Sequence, residues 1–291
     1  MSRRTDLAME ERELWQQSAG TTTELPGVRA RETSSKGITT TVVEILDDRG
    51  SKTLHKPRGS YVTLELEEGV LRSPDGFERA AARLGKMLGK MLPSGQVLVV
   101  GLGNSAVTPD AIGPRALDHL LVTRHMGDLL PSLRSVSAIA PGVLGTTGLE
   151  SVEVVRGLVE RAEPSCVIVV DALASRSPER VCSTIQLTDT GIVPGSGVGN
   201  SRAAFNEETL GVPVRAVGVP TVVEAATFLH DALEEHGVNP AGMRKLEEKA
   251  MILTPRDIDA RVARISRLLG YGISMALHKG ISVEDISCFV G

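Results

Sequence analysis

Asp110 and Asp171 are the side chains of this sequence best placed to do chemistry together. Asp171 follows the apolar run Cys166-Val167-Ile168-Val169-Val170, which reads as a strand. Asp110 lies beyond a second such run, Gln96 to Leu102, at the expected start of a helix. Ligands of open α/β sheets bind in the crevice past the carboxyl ends of strands, so both carboxylates are expected there. Two carboxyl groups forced together cannot both ionise cheaply, and one keeps a proton near neutral pH. The charged partner can then take a proton from water while the protonated one polarises a scissile carbonyl. Thr108-Pro109 has the form of an N-cap followed by a first-turn proline, where the macrodipole would favour a charged Asp110 and bias it toward the base role. Aspartates after strands or in first helical turns are also ordinary capping and loop residues, so position alone does not decide the assignment.

Other motifs compete for the role. Gly101-Leu102-Gly103-Asn104-Ser105-Ala106 matches the dinucleotide fingerprint after a strand, which would make the chain a nucleotide-dependent, Rossmann-type oxidoreductase. Against that reading, the helix is expected to start late, at Thr108-Pro109, and the next strand ends Ala138-Ile139-Ala140-Pro141 without an acidic residue. Asp189-Thr190-Gly191 is the tripeptide of pepsin-like and retroviral proteases, but those are all-β and need two copies; one copy in an α/β pattern reads first as a turn. The stretch Pro194 to Asn200 lacks the lysine of a P-loop, and its glycines suit a substrate-binding flap instead. The six histidines include no H-E-x-x-H, no G-x-S-x-G elbow is present, and Cys166 and Cys182 are expected to be buried.

These residues need a scaffold, and the composition allows one. The chain has 291 residues, 41% hydrophobic and 23% charged, enough for a sizeable core. Aromatics are only 2%, so the core must be aliphatic. That scarcity and a net charge of −4 argue against direct nucleic-acid binding. Three cysteines without CxxC spacing indicate reduced thiols, the N-terminus has no apolar signal region, and no apolar run is long enough for a bilayer, so a cytoplasmic protein is expected. Residues 1–35 read as a polar arm with little structure of its own. Strands are expected at Thr39–Leu46, Tyr61–Glu67, Gln96–Leu102, Ser135–Ala140, Cys166–Val170, Ser183–Leu187 and Val214–Val219. Helices are expected at Asp75–Leu92, from Thr108 toward Val122, and at Leu149–Ala162, Thr221–His236 and Pro255–His278. The alternation predicts an α/β fold, a mostly parallel sheet flanked by helices, in one domain spanning 1–291 with an N-terminal elaboration.

Several segments together resemble the germination proteases of endospore-forming bacteria. They include Arg4-Thr5-Asp6-Leu7-Ala8, Val100 to Asn104, Val107-Thr108-Pro109-Asp110-Ala111, Leu121-Val122-Thr123-Arg124-His125 and Pro141 to Gly145. Val170-Asp171-Ala172-Leu173-Ala174, Asp189 to Ile192 with Pro194 to Asn200, Gly218 to Val223, Thr254 to Asp259 and Ala276-Leu277-His278 extend the likeness over nearly the whole chain. The resemblance implies an endopeptidase that degrades small acid-soluble spore proteins in the spore core during germination, a homotetramer, and the fold of hydrogenase maturation proteases. It places the proposed catalytic aspartates on Asp110 and Asp171; Asn104, Asp189, Gly195, Gly197 and His125 are expected as supporting or substrate-binding residues. Related maturation proteases bind a metal at the corresponding position, which leaves a divalent cation between Asp110 and Asp171 as an open alternative; no other cofactor is expected. Members of the family are made with a propeptide before the Arg-Thr-Asp-Leu-Ala segment, whereas only Met1, Ser2 and Arg3 precede Arg4, so no substantial propeptide is expected. A non-catalytic binder of spore proteins is the remaining alternative.

Overall fold

Valine-rich segments that must be hidden on both faces form the middle of the molecule. The computed structural model describes residues 5–19, 25–130, 132–199, 202–238 and 251–290. Among them the strands are β1 (Val28–Ser35), β2 (Ile38–Ile45), β3 (Gly59–Leu66), β4 (Val97–Gly101), β5 (Val136–Ile139), β6 (Cys166–Ser175), β7 (Thr184–Thr188), β8 (Val214–Glu224) and β9 (Ile252–Leu253). They form one sheet in the order β1-β2-β3-β7-β8-β6-β4-β5, with β9 paired to β8. The helices are α1 (Ala8–Ala19), α2 (Asp48–Leu54), α3 (Pro74–Gly89), α4 (Ile112–Leu117), α5 (Leu144–Thr147), α6 (Ser151–Ala162), α7 (Glu207–Leu210), α8 (Ala225–Glu235), α9 (Ile258–Leu277) and α10 (Val283–Val290).

The α/β class with flanking helices is as expected, but the sheet is mixed. Only β8, β6, β4 and β5 run parallel; β1-β2, β2-β3, β3-β7 and β7-β8 are antiparallel. The parallel part has the continuous apolar sequences of strands covered on both sides. Alternate residues divide between two cores. Val97, Val99, Ile168 and Val170 pack with Leu84 and Leu88 of α3, Ile112 of α4 and Ile265, Leu268 and Leu269 of α9. Leu98, Val100, Val167 and Val169 pack on the other face with Val152, Val155 and Val159 of α6. Helix α3 starts as its sequence dictates: Ser73 Oγ accepts from Gly76 N–H at 3.1 Å, and Pro74 occupies the first turn.

The N-terminal region departs most from expectation, which was a polar arm with little structure of its own. Residues 8–19 are helical, and 28–35 form β1, joined to β2 by a two-residue hairpin turn in which Lys36 and Gly37 both have positive φ (52° and 77°). Most of β1 is exposed, so its residues carry no apolar alternation to read. Helix α1 is tied to the body of the protein by buried and half-buried polar side chains. Glu10, 1% exposed, accepts from the backbone N–H of Arg176 (2.7 Å) and Ser177 (3.1 Å) and from Arg180 (3.0 Å). Arg180 also binds Glu13 and Glu65, tying α1 to β3 and the β6–β7 connection. Expectations for residues 1–4, 20–24 and Asn200 fall outside the described residues.

Two other boundaries move for physical reasons. The helix expected from Thr221 begins at Ala225, because Thr221 to Glu224 complete β8, pairing with β6 and β9. The helix expected from Thr108 is a single 3₁₀ turn, Thr108–Asp110, followed by the six residues of α4. The backbone at α4 passes hard against the sheet. A Cβ on Gly113 would lie 2.2 Å from Leu102 O and 2.6 Å from Val170 O, and one on Gly101 would lie 2.5 Å from Gly113 O. Because those neighbours are backbone atoms, Gly113→Ala is expected to destabilise by at least about 2 kcal/mol. Thermal unfolding should show a fall of roughly 5 °C or more; an unchanged midpoint would mean that this contact is slack.

Candidate active site

The site forms where β6 outruns its neighbour. Strand β4 ends at Gly101, opposite Val170, whereas β6 continues to Ser175. Asp171 is therefore inside a strand rather than just after one, as the sequence suggested. Its register partner on β8 is Gly218, and on the side of β4 the chain has already turned away. By alternation it shares the face of Val167 and Val169, toward α6. The turning chain stays tied to β6, since Leu102 N–H donates to Val170 O at 2.8 Å.

Asp110 is brought to this point by the loop after β4. Gly103, at φ 113°, lets the loop fold over the 3₁₀ turn; a Cβ there would sit 1.9 Å from Asp110 O. Asn104 N–H donates to Asp110 Oδ2 at 2.7 Å, while Asn104 Oδ1 accepts from Ala106 N–H at 3.0 Å. Thr108 is not the cap expected from its sequence: its hydroxyl donates to Asp259 at 2.7 Å. The backbone N–H of Asn104, rather than a helix dipole, is what opposes protonation of Asp110. The same bond weakens the dinucleotide reading, because a loop N–H that would meet a pyrophosphate is already taken by a carboxylate.

Asp110 and Asp171 line one cavity of about 480 Å³, together with Asn104, Gly195, Gly197 and Asp6. Asp171 is 4% exposed, and Ala172 N–H donates to its Oδ1 at 2.9 Å. Burial pushes its carboxyl well above the usual carboxylate range; the charge of Asp110 pushes it further, and that of Asp6 adds to this against the Ala172 bond. Asp110 is also raised by burial, opposed by the Asn104 N–H. The pair is thus arranged to hold a proton, most firmly at Asp171.

The remaining expected residues divide. Asn104, Gly195 and Gly197 reach the cavity. Asp189 and His125 do not line it. Asp189 is exposed after β7 and accepts from Ser60 N–H at 2.8 Å, and Gly191 beside it has φ 80°, so this tripeptide is the bend that follows β7, tied to the start of β3. His125 is exposed in the segment Arg124–Leu129. Asp6 is the residue that strand-end reasoning missed. It lies far from any strand end in sequence, and its one signal was its place in the Arg4-to-Ala8 segment. Glu150 and Arg202, paired at 3.6 Å across the cavity wall, were missed as well.

Donors for a metal are few here. Both oxygens of Asp6 are engaged, by Ala174 N–H and Ser196 Oγ, and one oxygen of each paired aspartate already accepts a backbone N–H. Among the described residues, three acidic or imidazole groups come within ligand range of one another at His230, Asp231 and Glu234, not at the aspartate pair. The second oxygen of each paired aspartate is what the pair could offer a divalent cation.

Comparisons with known proteins identify the family. A peptidase family model described as germination protease matches residues 4–236. A germination protease of Caldanaerobacter subterraneus subsp. tengcongensis is 42% identical, covering 98% of this chain and 97% of its own. One from Clostridium perfringens strain 13 is 41% identical over 99% of this chain and 98% of its own, and one from Bacillus cytotoxicus is 35% identical over 98% and 96%. Among solved structures, a NiFe hydrogenase maturation protease from Thermococcus kodakarensis aligns with 64% of this chain and 98% of its own, at 14% identity and a TM-score of 0.36. The protein is a peptidase. Within that class, the chain belongs to the germination protease family.

The raised carboxyls carry a stability consequence with a definite sign. A group whose folded pKa exceeds its unfolded one stabilises below the unfolded value and loses that contribution as pH rises through the folded one. Asp171→Asn keeps an acceptor for Ala172 N–H and removes the ionisable group whose deprotonation burial opposes. It is therefore expected to raise the melting temperature by about 3 °C or more near about pH 8, and by much less near about pH 4. An equal effect at both values would mean that Asp171 titrates as an ordinary carboxylate.

Proposed function

We propose that the protein is an endopeptidase that degrades small acid-soluble spore proteins during germination, with Asp110 and Asp171 activating water. The observation that carries this reading is the shared cavity, lined by one buried and one half-buried carboxyl, each accepting a single backbone N–H. Membership of the family supports the germination role. The cytoplasmic spore core as its location and a homotetramer as its assembly are part of the same proposal. Among the described residues, no helix is long and apolar enough to cross a membrane.

In this reading Asp171 holds the proton and Asp110 is charged. The substrate carbonyl oxygen accepts a hydrogen bond from Asp171, which makes its carbon electrophilic. Asp110 takes one proton from a water molecule as the water oxygen bonds to that carbon. Asp171 passes its proton to the carbonyl oxygen as the tetrahedral adduct forms. Collapse breaks the C–N bond: the proton on Asp110 goes to the leaving amine, and the adduct's hydroxyl proton returns to the pair. Water has been consumed, and both carboxyl groups are back in their starting states. No step passes through a metal.

Asp110→Asn and Asp171→Asn, each shown folded, are expected to lower kcat on a spore protein by about 100-fold or more, the scale of general acid–base catalysis. Mass spectrometry of the products with enzyme in excess reads both cleavage and its absence, and so also separates a protease from a mere binder. Chelator treatment of the wild type should leave the rate unchanged; its loss would favour metal-activated water instead. Full activity in either variant would remove the pair from the mechanism.

A further inference from the structure

The third acidic residue at the cavity is bound in a way that the aspartate pair does not require. Asp6 sits on the short segment before α1, and it contacts three separate parts of the chain. Its backbone N–H donates to Ala174 O at 3.0 Å, and Ala174 N–H donates to its Oδ2 at 2.9 Å, so the residue closes a two-bond ring on the end of β6, three positions beyond Asp171. Its other oxygen, Oδ1, accepts from Ser196 Oγ at 2.7 Å, in the glycine-rich loop. Its backbone oxygen accepts from Gln186 Nε2 at 3.0 Å, and Gln186 Oε1 in turn accepts from Ala8 N–H at 2.8 Å, which fixes the segment to β7.

The loop is shaped for this contact. Gly195 and Gly199 both have positive φ (75° and 70°), and the 3₁₀ turn Ser196–Val198 lies between them. Gly197 is buried against the carboxylate: a Cβ there would fall 2.1 Å from Asp6 Oδ2 and 2.8 Å from Ala174 Cβ. Leu7, fully buried, packs with Met9 and Leu173, and Ile192 before the loop joins that cluster. Apolar packing therefore seats the segment, and the carboxylate links it to the loop.

We infer that Asp6 is a positioning residue of the catalytic centre, its two oxygens clamping the glycine-rich loop to the end of β6 so that the loop forms one wall of the peptide cleft. The N-terminal segment thereby becomes part of the site, although no atom of it takes part in bond making. Gly195, Gly197 and Val198 from the loop, and Ala172 and Ala174 from β6, line the cavity on either side of this clamp. A loop freed from Asp6 samples arrangements that do not bind a peptide, and apparent affinity falls by the fraction that remains competent.

The inference rests on the cavity being the peptide cleft, and its test is chosen to be separable from that reading. Ser196→Ala removes one exposed hydroxyl and leaves Asp6 on β6. Hydrogen exchange of the Val198 and Gly199 amides, measured in the resting protein, should quicken by about tenfold or more, because a hydrogen bond to a charged group is lost. On a spore-protein substrate the loss should fall on KM, about fivefold or more, with a smaller change in kcat. Asp6→Asn, which keeps an acceptor for Ala174 and a partner for Ser196, should stay nearer to the wild type than Asp6→Ala. The double variant Asp6→Ala/Ser196→Ala should be no worse in KM than Asp6→Ala alone, since both remove one bond. Unchanged loop exchange in Ser196→Ala, or a freed loop with an unmoved KM, overturns the inference. Exchange requires no turnover, so it reads the clamp whether or not Asp110 and Asp171 prove to be the catalysts.

Discussion

Hiding a carboxyl group from water is costly unless the group stays protonated or finds donors, and the rest of this site is organised around that cost at Asp171. Its surroundings supply one backbone N–H, from Ala172, and otherwise strand, helix and the neighbouring carboxylates. No guanidinium or ammonium group pairs with it among the described ion pairs, which would have lowered its pKa and removed the proton a general acid needs. Arg202, which lines the cavity, pairs with Glu150, while Arg176 pairs with Asp231 and Arg180 with Glu10, Glu13 and Glu65. A strained electrostatic position is held by a scaffold that satisfies nearly everything around it.

That scaffold uses close backbone approach more than side-chain bulk. Gly101 and Gly113 let α4 meet the ends of β4 and β6, Gly103 lets the loop fold over Asp110, and Gly197 lets the glycine-rich loop meet Asp6. The distances left for a Cβ at these positions are far below van der Waals contact, so each glycine sets the separation of two chain segments. Two carboxylates from distant parts of the sequence arrive at one cavity because the segments between them are allowed to come this near.

The parallel core could be read from the sequence because its signal is simple. Runs such as Val97 to Val100 and Cys166 to Val170 have no polar face and must be covered on both sides. The crevice rule then pointed to Asp110 and Asp171. The antiparallel extension was less legible: β1 is mostly exposed and carries charged and small polar residues, so nothing in its pattern separates strand from coil. The ends of β6 and β8 were set too early because Asp171 and Thr221 look like stop signals, while pairing between these two strands carries both onward. Asp6 escaped notice for a different reason. Its contacts are with backbone groups and a serine far away in the chain, and such contacts leave no local periodicity.

Asp189 and His125 were expected as supporting residues, and the geometry gives each a place outside the cavity: a bend after β7 tied to β3, and an exposed 3₁₀ segment. Position in the cavity and acidic chemical type agree for Asp110 and Asp171. The most direct measurement of that agreement is a carbon-13 NMR titration of the aspartate side-chain carboxyls in the wild type and in Asp110→Asn. The account predicts that Asp171 keeps its proton well above the ordinary carboxylate range, and that its midpoint falls when the charge of Asp110 is removed. A midpoint for Asp171 in the ordinary range, indifferent to Asp110, would contradict it.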